Sequence, residues 1–148
     1  ASSITLGKIP LENISKKDLH KTLYYMTQNT NLFSDKTILE NIFYQQKVDL
    51  KRLRQLKLPE TFTKNFHKKV LQSGINISGG TKRLVHVLRC FFHSAKIIIM
   101  DEPTDSLDKK TTEAVIQLIR LLQKEKTVIC ISHDSRLDQV FQRVYHHQ

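Results

Sequence analysis

Long hydrophobic runs, glycine, cysteine and acidic residues are all scarce in this chain, and each shortage excludes something. Within its 148 residues no apolar run reaches the roughly 18 that a membrane-crossing helix needs. Any membrane partner must therefore lie elsewhere. No basic segment followed by an apolar stretch opens the sequence, so secretion is not indicated and a cytoplasmic setting is expected. The two cysteines, Cys90 and Cys130, lack metal or redox spacing and lie among apolar neighbours. Both are expected as buried, reduced thiols. With only four glycines, the sequence holds no Gly-x-x-x-x-Gly-Lys-Ser/Thr phosphate cradle. Gly74 and Gly79 have its spacing, but Gly80 stands where the lysine is required. Acids number 14 against 24 lysines and arginines, a net charge of +10 that would suit nucleic acid or an anionic membrane surface. Much of it is local: between Lys47 and Lys69 there are eight basic residues and two acids. A solvated helical face explains that run as well as a binding patch does, because it lacks a clear interleaving of aromatics for base stacking.

What is present centres on Lys96 to Asp108, a continuous apolar run that ends in adjacent carboxylates, a proline and a polar loop. Four apolar residues without alternation predict a parallel strand covered on both faces. The open ends of such strands are where α/β proteins bind ligands. Asp101 there can hold Mg²⁺, and Glu102 can polarise a water for attack on a phosphate. The competing reading is a solvated loop after a core strand.

Ile4 to Gly7 reads as a short strand and turn, and Ser15 to Leu19 as a capped helical turn after the break at Pro10. Leu23 to Thr27 is β-prone and empties into a polar loop beginning at Gln28. From Thr37 to about Leu71 the pattern is helical and basic, with Pro59 opening a new segment, which predicts a helical insertion. Ile77 to Thr81 then precedes an amphipathic helix carrying Leu84, Val85, Leu88, Phe91 and Phe92 at helical spacing. Ser78, Gly79 and Gly80 at its start would let a phosphate approach the backbone, or would simply form a serine cap. Thr111 to Lys124 repeats the helical period and Thr127 to Ile131 is a second apolar run. Together with the Asp101 strand they make a βαβ unit, expected to be right-handed. Its second strand ends at Ser132-His133-Asp134, which brings His133 beside Glu102 if the two strands are neighbours. The other six histidines show no ligand spacing.

With Gln28, Ile77 to Thr81, Ile97 to Asp108 and His133 in this order, the sequence resembles the ATP-binding domain of an ABC transporter. The resemblance implies a partial RecA-like P-loop NTPase core, α/β with parallel strands, plus the family's helical signature subdomain. It implies one domain: residues 1–31 as core strands and the Gln28 loop, 32–76 as helical subdomain, and 77–148 as signature helix and remaining core. ATP and Mg²⁺ follow as cofactors. By resemblance Gln28 touches the metal and water network, Ser78, Gly79 and Gly80 form the signature that serves a partner's nucleotide, and Asp101 binds Mg²⁺. Glu102 is the base, Asp108 closes the D-loop and His133 meets the γ-phosphate. The implied partners are a second ATPase domain, head to tail, and transmembrane domains. The implied location is the cytoplasmic face of the cell membrane.

Leu32 to Ser34 followed by Thr37 to Ile42 is similar to exporter-type members. Departures include Ile77 and Thr81 at the ends of the signature, Asp105 and Ser106 in the D-loop, and one extra residue between Phe33 and Thr37. The missing phosphate cradle is the largest. It suggests that the chain is a fragment of an intact ATPase, probed most simply by reading the gene upstream, and that the fragment alone turns over negligible ATP. Two rivals remain at this point: a soluble ABC ATPase acting on nucleic acid, and a nonhydrolytic regulatory module.

Overall fold

The protein is described by a computed structural model covering residues 3–29 and 31–146. Its first strands, β1 (Thr5–Leu6) and β2 (Ile9–Pro10), form an antiparallel hairpin around Gly7, whose φ of +62° is the left-handed turn that glycine tolerates best. Helix α1 (Lys16–Thr22) starts at Ser15, whose hydroxyl accepts from the Asp18 amide, and runs straight into β3 (Leu23–Met26).

The central sheet has β3, β4 (Ile97–Asp101) and β5 (Thr127–Ile131) in that order, all parallel. Tyr25 lies opposite Ile99, and Ile99 opposite Ile129. Two helices with clear apolar stripes supply the cover: α5 (Gly79–Phe92) and α6 (Lys109–Leu122). Leu84, Val85 and Leu88 of the first and Val115, Leu118, Ile119 and Leu122 of the second share one buried cluster with Met26, Ile98 and Met100.

That cover is on one face only, which corrects the expectation of a strand buried on both sides. Along β4 burial alternates, with Ile98 and Met100 fully enclosed and Ile97 and Ile99 only half-buried. On the same open face Tyr25, Ile129 and Ile131 are each about half exposed. A short apolar run cannot distinguish one covered face from two, because β-branched residues suit both. Cys130 is corrected with it: Cys90 is buried, but Cys130 on edge strand β5 is only half-buried, and both thiols are free. Burial still pushes each thiol up to about 12.

Between β3 and α5 the chain makes the expected helical insertion, but from short pieces: α2 (Ile38–Ile42), α3 (Leu50–Gln55) and α4 (Glu60–Thr63). Thr37 and Glu40 form a reciprocal capping box, Asp49 caps α3 through the Arg52 amide, and Pro59 precedes α4. Asp49 and Glu60 are thus committed locally, the first as a cap and the second in an ion pair with Lys64. Arg52 reaches out of the lobe to Glu125 and lies over the Phe91 ring, 4.4 Å from its centroid.

A polar network fastens the lobe to α5. Fully buried Asn41 accepts from the Phe33 amide (2.7 Å) and from Arg89 Nη2 (2.8 Å), and donates to the carbonyls of Phe33 and Thr37. Arg89 also donates to the carbonyls of Asn41 and Asn31. His86, one turn earlier on α5, lies 3.1 Å from the same Asn31 carbonyl. The segment that follows Gln28 is therefore tied to the helix that follows Ser78.

Candidate active site

The C-terminal ends of the three parallel strands converge on two carboxylates. At the end of β4, Asp101 projects to the open face because it is two residues beyond Ile99 in a period-two strand. Tyr25 occupies that face on the neighbouring strand, and its hydroxyl donates to Asp101 Oδ2 at 2.9 Å. This bond holds the Tyr25 proton and raises its pKa, with burial second.

Glu102 leaves the strand with φ of +47°, an uncommon conformation for a residue with a side chain. Its amide donates to the Ile131 carbonyl (2.8 Å), so the turn is pinned to β5. The side chain then faces the start of the next loop. Ser132 Oγ donates to Glu102 Oε2 at 3.1 Å, the His133 amide reaches the same oxygen at 3.4 Å, and His133 Nε2 lies 3.6 Å from Oε1. The His133 ring is 99% exposed while the Glu102 side chain is 15% exposed. The imidazole can therefore swing towards a ligand without breaking a packed core.

Behind the carboxylates sits Arg83, a buried guanidinium of α5 whose Nη1 has no hydrogen-bond partner. Burial lowers its pKa, and the charges of Asp105, Glu102 and Asp101 oppose that shift. On the loop beyond β5, Arg136 forks onto Asp134 at 2.8 Å through each nitrogen and depresses that carboxyl to about 2.

A description of the ABC transporter family fits residues 1–105 of the chain. The chain belongs to the ABC transporter family. Its curated relatives include a methionine import ATP-binding protein of Chlamydia pneumoniae, 30% identical over 86% of this chain and 40% of that protein. An ATP-dependent lipid A-core flippase of Pasteurella multocida is 30% identical over 88% of this chain and 24% of its own length. A probable multidrug resistance ABC transporter ATP-binding/permease protein of Bacillus subtilis is 31% identical over 88% of this chain and 24% of its own. The chain thus spans about a quarter to two-fifths of the relatives it matches. Among solved structures, a bacterial Atm1-family ABC exporter with ATP bound superposes with a TM-score of 0.73 over 91% of this chain at 23% identity. The α/β core is accordingly that of a P-loop NTPase, lacking in this sequence the phosphate loop itself.

In ABC terms, the structure brings together Asp101, Glu102 and His133 at the ends of neighbouring strands. Gln28 lies exposed just beyond β3, at the same end of the sheet. Ser78 is the N-cap of α5: its oxygen accepts from the Thr81 amide and its hydroxyl donates to Thr81 Oγ1. Gly79 and Gly80 form the first turn of that helix. Space around Gly79 is open, while a Cβ on Gly80 would meet Thr111 and Leu107 at 3.6 to 3.9 Å. Among the described residues no hydrogen bond or ion pair joins Ser78, Gly79 or Gly80 to Asp101, Glu102 or His133. Asp108 is the N-cap of α6, accepting from the Thr111 amide and hydroxyl, and these bonds lower its pKa, the hydroxyl most.

Mg²⁺ fits this donor set. Among the described residues no group of three or more His, Cys, Asp or Glu side chains forms a metal cage. Mg²⁺ typically takes one or two protein carboxylates and completes its shell with water and phosphate. Asp101, with Oδ1 free of Tyr25, supplies such a hard oxygen.

Sequence reasoning missed Tyr25, Ser132, Arg83 and the Asn41–Arg89 network. Adjacency to His133 was an available signal for Ser132. None existed for Tyr25, whose partner lies 76 residues away.

Proposed function

We propose that this chain is the greater part of an ATP-binding and hydrolysing domain that powers export across a membrane, acting with a second such domain and with transmembrane domains at the cytoplasmic face of the cell membrane. The observation that carries the reading is the pairing, at the ends of adjacent parallel strands, of a tyrosine-held Asp101 with a Glu102 that faces His133. Asp101 and Gln28 would hold Mg²⁺, which when bound neutralises phosphate charge. Glu102 would accept the proton of the attacking water, and His133 would reach the γ-phosphate. Ser78, Gly79 and Gly80 would present a helix N-terminus to the nucleotide of the partner domain, and Asp108 would fix the D-loop at that seam.

The direction of transport rests on the exporter-like text of Leu32 to Ile42 and on exporter relatives such as the lipid A-core flippase. The methionine import relative favours import as the second reading. Nucleic acid is not needed as a partner to explain the charge. The 148-residue chain alone is expected to turn over negligible ATP, since it carries no lysine and amide cradle for the transferring group. Its open sheet face and the free edge of β5 are where further core elements would pack. The test compares MgATP turnover by the full-length gene product with that of this chain. Turnover confined to the longer protein supports the reading, and a full-length product that neither binds nor hydrolyses ATP refutes it.

A further inference from the structure

The hydrogen-bond directions around Ser132 are fixed by what surrounds it. The Asp134 amide donates to Ser132 Oγ at 3.1 Å, so the serine oxygen is already an acceptor there. Its single proton is left for Glu102 Oε2, 3.1 Å away. The His133 amide points at the same oxygen from 3.4 Å. The two Glu102 oxygens are thereby made unequal. Oε2 receives two donors from the β5 loop, whereas Oε1 has, among the described residues, only the solvent-exposed His133 ring, 3.6 Å away. The backbone reinforces this, because the Glu102 amide is bonded to Ile131, the residue before Ser132.

We propose that Ser132 is the positioning residue of Glu102: its hydroxyl anchors Oε2 and so leaves Oε1, beside His133, as the oxygen that takes the water's proton. The inference rests on the hydrolytic reading above and deepens it. In the step concerned, the water's O–H bond breaks and its proton passes to Oε1. The water oxygen bonds to the γ-phosphorus, the bond from that phosphorus to the bridging oxygen breaks, and ADP leaves with the electron pair. Ser132 touches neither water nor phosphate. Without it the Glu102 side chain could rotate about its terminal bonds, and the fraction of time in which a bare oxygen faces the water would fall.

The experiment uses the full-length gene product with Ser132→Ala, Ser132→Thr and Ser132→Cys, and Glu102→Gln as reference. Steady-state MgATP hydrolysis gives kcat and KM, and equilibrium ATP binding is measured separately. A hydrogen bond to a charged group corresponds to a loss of roughly tenfold or more in rate when it acts only in positioning the base. Ser132→Ala should therefore lower kcat about tenfold while KM and ATP binding stay within about twofold. Ser132→Thr, which keeps the hydroxyl, should restore most of it. Ser132→Cys, nearly isosteric but a weaker donor, should fall between and covers the case in which the alanine variant fails to fold. An alanine variant with unchanged kcat, a loss carried by KM, or a threonine variant as impaired as alanine overturns the inference while leaving the hydrolytic reading intact. Undiminished turnover in Glu102→Gln, or no turnover in the parent, overturns both.

Discussion

Replacing Asn41 by alanine removes the centre of the joint between the helical lobe and α5. The asparagine is fully buried and makes four side-chain hydrogen bonds, one of them to the Arg89 guanidinium. A bond to a charged group contributes about 1.5–3 kcal/mol and a neutral one about 0.5–1.5 kcal/mol. Simple addition overstates the loss, since Phe33 and Arg89 are partly accessible and water can reach their freed groups. A net cost of about 3 kcal/mol is the expectation, a large share of the ~5–15 kcal/mol that separates a domain from its unfolded state. For a chain of this size that corresponds to a fall in Tm of roughly 10 °C. Thermal unfolding followed by far-UV circular dichroism at neutral pH measures it, with Asn65→Ala as control. Asn65 donates one exposed bond, to the Thr61 carbonyl, and its removal should shift Tm by no more than a few degrees, on the order of a surface substitution. Equal shifts for the two variants would show that the buried network does not join lobe to core.

Two further outcomes follow from the same geometry. Tyr25→Phe removes the donor that holds Asp101 Oδ2, and the Mg²⁺ concentration for half-maximal ATP turnover in the full-length product should rise by roughly tenfold, as for other partners of metal ligands, with turnover at saturating Mg²⁺ little changed; an unaltered Mg²⁺ dependence would remove Tyr25 from the site. His86, buried on α5, has its pKa lowered to about 4 by burial first, with the charges of Arg89 and Arg83 adding to it and the Asn31 carbonyl opposing. The unfolded chain therefore binds the extra proton first as pH falls from about 6.5 towards 4. Stability present in full above pH ~6.5 should be lost through that window, by about 2–3 kcal/mol at its lower end. Urea titrations of His86→Gln should show this component gone; a variant with the parent's slope between pH 4 and 6.5 would refute the assignment.

Local chemistry was legible in the sequence wherever one stretch carried its own signal. Ser15 and Thr37 head helices, Ile77 to Phe92 shows its amphipathic period, and both apolar runs end where the candidate side chains Asp101, Glu102 and His133 stand. Long-range register was not. Nothing local says that Tyr25 faces Ile99 and so reaches Asp101, or that Arg89 meets Asn41 across 48 residues. The apolar runs themselves were ambiguous, since Ile97 to Met100 and Val128 to Ile131 read alike whether helices cover one face or two. Cys130 differs for another reason: it lies on the covered face, opposite Met100, but on the edge strand β5, and strand order is not written in a local run. Asp108 shows a further limit: one carboxylate serves as a helix cap by its position and as a D-loop residue by family pattern, and sequence alone does not separate the two roles.

The central claim is that the end of β4 holds the hydrolytic carboxylate, and Glu102→Gln in the full-length gene product tests it most directly. The substitution keeps size and the capacity to accept from Ser132 but abolishes basicity. The account predicts a fall in MgATP turnover of at least about a hundredfold, the scale of general-base catalysis, with ATP binding unchanged. Turnover within a fewfold of the parent, at equal ATP affinity, would contradict it.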